Sequence, residues 1–369
     1  MVFRPSRLQQ LSVRQQTAAL DCVALMPGPN LQYVTGLTLS TSERPIVAFF
    51  PREGTPAVLL PMFEQGRVEK GFGGQDIVFV TYTDEEGYQG AFARVVDLLK
   101  LDDKRVAVEY LYMRALELRQ LEQAAPKGRF VSLDQVLPGL RAVKDEGELD
   151  AMRGAIAITE KALQTLIAEP LIGLTEHQIV TRLEQAMVDG GADSVAFIIA
   201  VAGPNGADPH AGPSDRPVQA GDLLTIDCGA VYRGYPADIT RTFALGQVDA
   251  KLKQVYEVVQ RANAAGKQAV KPGVAAQEVD RAARRVIDTA GYGPYFTHRT
   301  GHGLGIQVHE PPYIVEGNTQ VLEPGMVFTV EPGIYIPGLG GVRIEDDVVV
   351  TADGGESLTT FPREWRVIQ

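Results

Sequence analysis

The chain has 369 residues, and its 35 Lys and Arg against 46 Asp and Glu give a formal net charge of −11 at pH 7. This balance argues against a surface that neutralises phosphates, so we expect no nucleic-acid partner. With 45% hydrophobic and 22% charged residues, the composition also excludes a disordered or fibrous chain, and the length predicts about two domains.

Two features that the sequence lacks narrow the class of protein further. Cys22 and Cys228 are the only cysteines, which excludes a disulfide framework and favours a reducing compartment. No stretch reaches the roughly 20 apolar residues of a membrane span, and the sequence opens with no apolar run of signal-peptide length. We therefore expect a soluble cytoplasmic protein with no membrane partner.

Helical and extended patterns alternate over residues 1–143. We predict a small α/β domain here, with helices at 4–20, 90–100 and 113–122 and strands at 46–50, 57–60 and 105–109. Strands that alternate with helices are typical of a mixed or parallel sheet. This part of the sequence contains no group of His, Cys, Asp or Glu at metal-ligand spacing.

A second domain is predicted over residues 144–369. It opens with a helix at 148–168, whose apolar residues recur at helical spacing, and continues with a helix at 176–188 for which Thr175 is the expected N-cap. Helices then alternate with short strands joined by glycine-rich turns.

Two aspartates lie on a predicted hairpin of this second domain, around a turn at 233–234. Asp227 and Asp238 are 11 residues apart, and a turn centred near 232–233 would place them directly opposite each other, with Cβ atoms about 4.5–5.5 Å apart. Such carboxylates repel by roughly 3–4 kcal/mol at an effective dielectric of 20, so we expect a positive group between them. Cys228 points to the opposite face of the strand and is predicted to lie in the core.

A second pair of acidic residues follows the same pattern near the end of the chain. Glu331 and Glu345 are 14 residues apart with Gly338 midway between them, so we expect them to face each other across a hairpin whose loop is 337–341. A single opposed pair of acidic residues is often only part of the charged surface of an edge strand. Two pairs, each set in strands rich in Val and Ile, favour a functional site.

Three of the five histidines fall within 12 residues, at His298, His302 and His309. The glycines at 301, 303 and 305 would let the backbone approach a ligand closely. The segment lacks the Gly-Lys-Ser/Thr ending of a phosphate-binding loop, and it lacks the strand and helix context of a dinucleotide-binding loop. We interpret it as part of the same site as the two acid pairs.

The charge of these residues predicts the ligand that they would bind. Four carboxylates and one neutral imidazole carry about four negative charges, which two divalent cations would neutralise, whereas one cation would leave a costly buried surplus. Oxygen-rich ligation with a single imidazole suits Mn²⁺, Co²⁺, Fe²⁺ or Zn²⁺. Two cations that share carboxylates are typical of metal-assisted hydrolysis.

These motifs resemble those of the Xaa-Pro peptidase branch of the pita-bread metallopeptidases, which includes prolidase and aminopeptidase P. The run 298–310 fits the histidine segment of that family throughout. The positions that match its five metal ligands are Asp227, Asp238, His302, Glu331 and Glu345. The resemblance implies an α/β (α+β) fold class, with a creatinase-like N-terminal α/β domain over 1–143 and a pita-bread catalytic domain over 144–369.

The resemblance also implies two divalent cations per chain, with Mn²⁺ favoured over Co²⁺, Zn²⁺ and Fe²⁺. By position, Asp227 would bind one cation, and Asp238 and Glu345 would bridge both. His302 and Glu331 would complete the second site.

Further roles follow from the same resemblance. Glu331 would also carry protons between the attacking water and the leaving group. His210, in the segment 204–210, and His309 would bind substrate and stabilise the tetrahedral oxyanion. His298 would hydrogen-bond near the site, and Arg343 would hold an acidic residue in place.

The expected substrate is a small peptide with proline at position two. A prolidase must pair the terminal carboxylate of a dipeptide, whereas aminopeptidase P must leave an exit for a longer chain. Arg44, in the turn-like segment 42–45, is our candidate for this pairing, and Arg299 is a second. The short chain and its compact first domain favour prolidase, with aminopeptidase P as the alternative.

Two further enzymes have the same fold and compete with this interpretation. Methionine aminopeptidase would share the five ligands, but it does not normally carry such a first domain or the HEPP run at 309–312. Creatinase works without the metal ligands, and the five intact positions argue against it. A catalytically silent partner-binding module stays open as a hypothesis from a different functional class. We expect a homodimer, because dimers are the commonest oligomers.

Overall fold

The computed structural model describes residues 5–72, 74–136 and 139–369, and the chain separates into two compact units, Met1–Arg141 and Ala142–Gln369. Among the described residues, no helix combines the length and the apolar character that a membrane span requires.

The first unit is built on a mixed sheet of six strands in the order β4-β3-β2-β1-β5-β6. Its elements are α1 (Pro5–Thr17), β1 (Cys22–Leu25), α2 (Pro29–Thr35), β2 (Val47–Pro51), β3 (Ala57–Pro61), α3 (Gln65–Gly71), β4 (Val78–Tyr82), α4 (Gln89–Leu99), β5 (Arg105–Val108), α5 (Ala115–Ala124), β6 (Arg129–Ser132) and α6 (Leu133–Val136). The predicted helices and strands of this unit are confirmed within a few residues, except that residue 4 lies outside the described part. β2 pairs antiparallel with both β1 and β3, and the other neighbours are parallel.

The second unit combines helices with three sheets. Its elements are α7 (Glu146–Leu166), α8 (Glu176–Asp189), β7 (Ser194–Ala202), β8 (Leu223–Tyr232), β9 (Tyr235–Pro236), β10 (Ile239–Leu245), α9 (Ala250–Ala269), α10 (Ala276–Thr289), β11 (Gly301–Gly303), β12 (Glu310–Ile314), β13 (Val327–Val330), β14 (Gly333–Ile336), β15 (Gly340–Arg343), β16 (Asp346–Val350), β17 (Gly355–Ser357) and β18 (Val367–Ile368). One sheet has the order β18-β10-β8-β7 with β9 on β8, a second has the order β12-β11-β13-β16-β17, and β14 pairs with β15.

The helix α8 begins at Glu176, as its predicted N-cap Thr175 indicates, whereas α7 begins at Glu146, two residues before the predicted start. The Asp145 side chain accepts a hydrogen bond from the backbone N–H of Glu148, and the Glu148 side chain accepts one from the N–H of Asp145. Thr175 and Gln178 form the same reciprocal arrangement at the start of α8. Such capping boxes satisfy backbone donors that a helix terminus otherwise leaves unpaired.

The apolar faces of α7 and α8 cover the sheet that contains β8. Leu149 and Met152 of α7 belong to one buried cluster with Ile226 and Cys228 of β8. The prediction that Cys228 lies in the core is confirmed, since its side chain is fully buried. Because strand neighbours alternate between faces, Asp227 points away from this cluster, toward the opposite face of the sheet.

Candidate active site

The hairpin that carries the two aspartates has a different register from the predicted one. Arg233 and Gly234 both have positive φ angles, of 50° and 79°, as a two-residue type I′ turn requires. The turn is therefore centred between these residues, and Asp227 pairs with Thr240 instead of Asp238. The prediction that the two aspartates lie directly opposite each other is wrong by two residues. An even shift preserves the face, so Asp227 and Asp238 still project to the same side.

The hairpin that carries the two glutamates has the predicted register. On one side of the two glutamates Val330 pairs with Asp346, and on their other side Gly333 pairs with Arg343. Glu331 and Glu345 lie between these two ladders, at corresponding positions of the two strands. Their backbones are fixed from outside the hairpin, because the Glu331 N–H donates to the carbonyl of Thr300 and the Glu345 N–H donates to that of Thr240.

Glycines allow the strand of His302 to fit between two neighbours. A Cβ atom on Gly301 would lie 1.9 Å from the carbonyl oxygen of Thr329, and one on Gly303 would lie 2.4 Å from that of Pro311. Both distances are far below a van der Waals contact, so only glycine permits this approach. β11 therefore packs directly against β13, which brings the His302 imidazole next to Glu331.

The imidazole of His302 lies among three of the acidic side chains. Its Nε2 atom is 3.5 Å from Oδ2 of Asp238 and 3.3 Å from Oε1 of Glu331. Among the described residues, one potential ligand atom each from Asp238, His302 and Glu345 all lie within 4.8 Å of one another, and all three side chains are buried. The structure thus brings together four of the five predicted ligands, from three separate segments of the chain.

The protonation of His302 leaves a lone pair directed at these carboxylates. Its Nδ1 atom lies 3.2 Å from the carbonyl oxygen of Gly303, a contact in which Nδ1–H donates. Burial lowers the pKa of His302 to about 3, with a smaller contribution from neighbouring His309. The neutral ring then directs an Nε2 lone pair at the carboxyl groups of Asp238 and Glu331, so a proton on one of these groups or a cation between them must satisfy it. This donor set fits a divalent metal ion.

Burial also raises the pKa values of the carboxyl groups. The pKa values of Asp238 and Glu345 lie well above the ordinary range because the side chains are buried and because each faces further acidic groups. Burial raises the pKa of Glu331 to about 8. Among the described residues, no Lys or Arg forms an ion pair with any of these three. Metal binding would therefore displace protons, and the carboxylates are not already neutralised by side chains.

Asp227 differs from the other acids because an arginine holds it. Nη2 of Arg343 donates to Oδ2 of Asp227 at 2.6 Å, while Nη1 donates to the Tyr335 hydroxyl at 2.8 Å. Nε of Arg343 bonds to Oγ1 of Thr240, whose hydroxyl donates to Glu345. The second oxygen of Asp227, Oδ1, is buried and has no hydrogen-bond partner. An unpaired carboxylate oxygen at this place also fits a metal ligand.

All five predicted ligands line one cavity of about 520 Å³ within the second unit. His210 and His309 line it too, and both are exposed. The ring of His309 lies edge-on to that of His302, with centroids 4.0 Å apart. Apolar side chains form another part of the wall; they are Phe197, Ile199 and Val308. The cavity therefore combines an acidic cluster, histidine donors and an apolar surface.

The remaining predicted residues occupy defined positions. Nε2 of His298 lies 2.9 Å from the Tyr335 hydroxyl, so one tyrosine links His298 to Arg343. Arg44 belongs to the first unit, where its Nε and Nη2 donate to Asp84 at 2.7 and 2.8 Å and Nη1 pairs with Glu43. Its guanidinium is thus already bonded to carboxylates, and its role in substrate binding stays a prediction.

Sequence reasoning missed several residues that organise the site. Tyr335 and Thr240 belong to no sequence motif, although each lies on a hairpin that bears predicted ligands. Asp347 is buried and accepts the backbone N–H of Asp238 at 3.2 Å. A signal for Asp347 was present, since three consecutive acids at 345–347 in a Val-rich strand are unusual.

Two family models match the chain. The model described as metallopeptidase family M24 matches residues 150–352, and the model described as the creatinase/prolidase N-terminal domain matches residues 7–143.

Individual proteins match nearly the whole chain. A protein named probable dipeptidase PepE, from Mycobacterium tuberculosis, is 40% identical over 98% of this chain and 96% of its own length. The crystal structure of dipeptidase PepE from Mycobacterium ulcerans has a TM-score of 0.93 at 38% identity and covers 98% of this chain and 97% of its own. The crystal structure of a recombinant prolidase from Thermococcus sibiricus has a TM-score of 0.92 at 36% identity and covers 100% of both chains.

Proposed function

Because this chain belongs to metallopeptidase family M24, we propose that it is a two-metal dipeptidase that hydrolyses the Xaa-Pro bond of dipeptides. The observation that carries the proposal is the cavity of the second unit, which Asp227, Asp238, His302, Glu331 and Glu345 line together. The similarity to proteins named dipeptidase and prolidase supports a dipeptide substrate.

The five ligand residues would hold two divalent cations, for which we favour Mn²⁺. When bound, such cations polarise a scissile carbonyl and lower the pKa of a bound water. Asp238 and Glu345, the two most deeply buried carboxylates of the set, would serve both cations. The Nδ1–H tautomer of His302 leaves the Nε2 lone pair available to a cation in the same part of the cavity.

Other side chains of the cavity would act on the substrate. Glu331 would carry a proton between the attacking water and the leaving group, first as a general base and then as a general acid. His210 and His309 would donate hydrogen bonds to the oxyanion, and removal of one such donor typically costs 10²–10³-fold in turnover. Partial burial of the His309 ring, with a further contribution from the charge of Arg299, lowers the pKa of His309, so its ring would be a neutral donor.

Proline at position two determines how the substrate must be selected. The nitrogen of the scissile amide belongs to proline and carries no hydrogen, so the site cannot select it through a donated N–H. Shape must act instead, and the apolar wall of Phe197, Ile199 and Val308 offers a surface for a pyrrolidine ring.

We further propose a cytoplasmic homodimer. Two buried free cysteines are compatible with a reducing compartment.

The proposal is tested by hydrolysis assays on the protein saturated with Mn²⁺ or Co²⁺. Ala-Pro, Met-Ala and Ala-Pro-Ala are offered in parallel, and released amino acids are quantified. We expect Ala-Pro to be cleaved, Glu345→Gln to abolish cleavage, and Glu356→Gln, an exposed position, to leave it unchanged. Preferred cleavage of Ala-Pro-Ala would favour an aminopeptidase P. No cleavage of any peptide at saturating metal would favour a partner-binding module.

A further inference from the structure

Glu176, the first residue of α8, is a fully buried carboxylate that binds only neutral groups. Its Oε1 atom accepts the backbone N–H of Ala202 at 2.7 Å, and its Oε2 atom accepts the N–H and the hydroxyl of Ser214 at 2.9 and 2.6 Å. The side-chain amide of Asn205 donates to both oxygens at 3.1 Å. Among the described residues, no Lys or Arg lies at ion-pair distance from this carboxylate. Its burial is therefore satisfied by the end of β7 and by the segment that follows this strand.

The side chains that bind Glu176 lie at the two ends of one loop, 205–214. The amide of Asn205, at the first end, also donates to Oγ of Ser214, at the last end, at 3.2 Å. A loop whose ends are held close together forms a compact unit. His210 belongs to this loop and lines the cavity. One buried carboxylate thus closes the loop that carries a histidine of the cavity.

The ends of this loop are also fixed by backbone contacts. A Cβ atom on Gly341 of β15 would lie 1.9 Å from the carbonyl oxygen of Gly206, so only glycine permits this approach. At the other end, the N–H of His177 in α8 donates to the carbonyl of Ser214 at 3.2 Å. In the described part of the chain, the ring of His210 has no hydrogen-bond partner. The backbone of the loop therefore determines where this ring lies.

We propose that Glu176 is a positioning residue, which clamps both ends of the loop 205–214 and thereby holds the His210 ring where it donates to the oxyanion; this inference rests on the proposed function. Glu176 does not line the cavity, so its effect on the reaction must pass through the loop. The effect is expected to be large, because a misplacement of about 1 Å far from the chemistry can cost about 10²-fold in rate.

The test is a double-mutant cycle of Glu176→Gln and His210→Ala, in which the Mn²⁺-saturated proteins hydrolyse Ala-Pro. Glutamine keeps the volume of Glu176 but replaces one acceptor oxygen with an NH₂ donor, which breaks the clamp on one side. We expect Glu176→Gln to lower kcat by about 10- to 100-fold, with KM within about twofold and the metal content of the wild-type protein. In the His210→Ala background the same substitution should change kcat by less than about twofold, because the group that it positions is absent.

Two further variants distinguish positioning from a general loss of stability. Thr175→Ala removes the side-chain cap of the same helix and none of the contacts of the Glu176 carboxylate. It should lower the urea midpoint and leave kcat unchanged. Ser214→Ala removes a hydroxyl donor from the loop and leaves α8 intact. It should lower kcat in the wild-type background but not in His210→Ala, and it completes the same cycle if Glu176→Gln fails to fold.

The outcomes separate this inference from the proposed function. If Glu176→Gln and Ser214→Ala keep the wild-type kcat while His210→Ala is slow, the peptidase stands and the clamp is refuted. If the losses of Glu176→Gln and His210→Ala multiply in the double variant, Glu176 does not act through His210. Full turnover by His210→Ala would contradict the proposed role of His210, and this inference with it.

A second measurement needs no turnover: hydrogen–deuterium exchange followed by mass spectrometry. Glu176→Gln and Ser214→Ala should each raise the exchange rate by about 10-fold or more in peptides that cover 203–215, whereas Thr175→Ala should not. This result supports the clamp on the His210 loop even if Ala-Pro is not cleaved. Equal exchange over 203–215 in wild type and both clamp variants overturns the inference.

Discussion

The raised pKa of Glu331 predicts how the stability of the metal-free protein depends on pH. Burial moves this pKa from an ordinary value of 4.5 to about 8, so the folded protein retains a proton that the unfolded chain releases. Stability from this group is therefore fully present below pH 4.5 and is lost as the pH rises through about 8. Glu331→Gln removes the titrating group and should remove its share of the loss.

The magnitude follows from linkage. For each proton that only the folded state holds, the free energy of unfolding falls by about 1.4 kcal/mol per pH unit. Between pH 5 and 8 the metal-free wild-type protein should therefore lose about 3–4 kcal/mol more than Glu331→Gln. Asp238 and Glu345, whose pKa values are also raised, add a loss in both proteins, which is smaller in Glu331→Gln because the charge of Glu331 helps to raise both pKa values.

The assay is urea-induced unfolding of the chelator-treated proteins at several pH values and constant ionic strength. Glu356→Gln, which replaces an exposed glutamate of the same unit, is the control and should follow the wild-type curve. Saturating Mn²⁺ should restore the stability lost at pH 8, because cations favour the ionised carboxylates. If the free energy of unfolding falls with pH at the same slope in wild type and Glu331→Gln, the pKa of the buried Glu331 carboxyl group is not raised.

Other changes are expected to give distinct results. Asp238→Ala should lose most bound metal and nearly all hydrolysis, as measured by elemental analysis and peptide cleavage, because a bridging ligand serves both cations; retention of two cations per chain would contradict the bridging role. His210→Ala should keep its metal and lose about 10²–10³-fold in turnover, so loss of metal in this variant would argue for a ligand instead of an oxyanion donor. Lys144→Met should destabilise the protein by about 3–5 kcal/mol in urea unfolding, because it removes the ammonium group that lies 2.9 Å from the buried Glu310 carboxylate. Adding Glu310→Gln to Lys144→Met should recover part of this loss, and a further decrease would show that the ion pair is not the cause.

The parts of the fold that rest on local patterns were predictable. Apolar spacing located α7 to within two residues, and the capping residue Thr175 located the start of α8, because a helix buries one face and needs partners for its terminal N–H groups. The symmetric position of Gly338 gave the register of the glutamate hairpin for a similar reason: strand pairing about a turn is set by counting residues from its centre.

The register of the aspartate hairpin shows where counting fails. A shift of the turn by one residue moves every pair by two, and only the positive φ angles of Arg233 and Gly234 identify the centre of that turn. The face of Asp227 was nevertheless correct, because the alternation of a strand does not change under an even shift.

The amino-acid sequence by itself determined which residue types could form the site: four carboxylates and a histidine beside glycines, in a chain with few histidines. Only the tertiary structure decided which of its charged groups are already paired. Arg343 is bound to Asp227, in line with the resemblance, whereas Arg44 is bound to Asp84 and Arg299 to no carboxylate within the described residues, although the sequence offered these two for the same role. The physical reason is that strand and helix periodicity fix the direction of a side chain relative to its neighbours in the chain. The partner that a charge meets depends on the packing of segments distant in sequence.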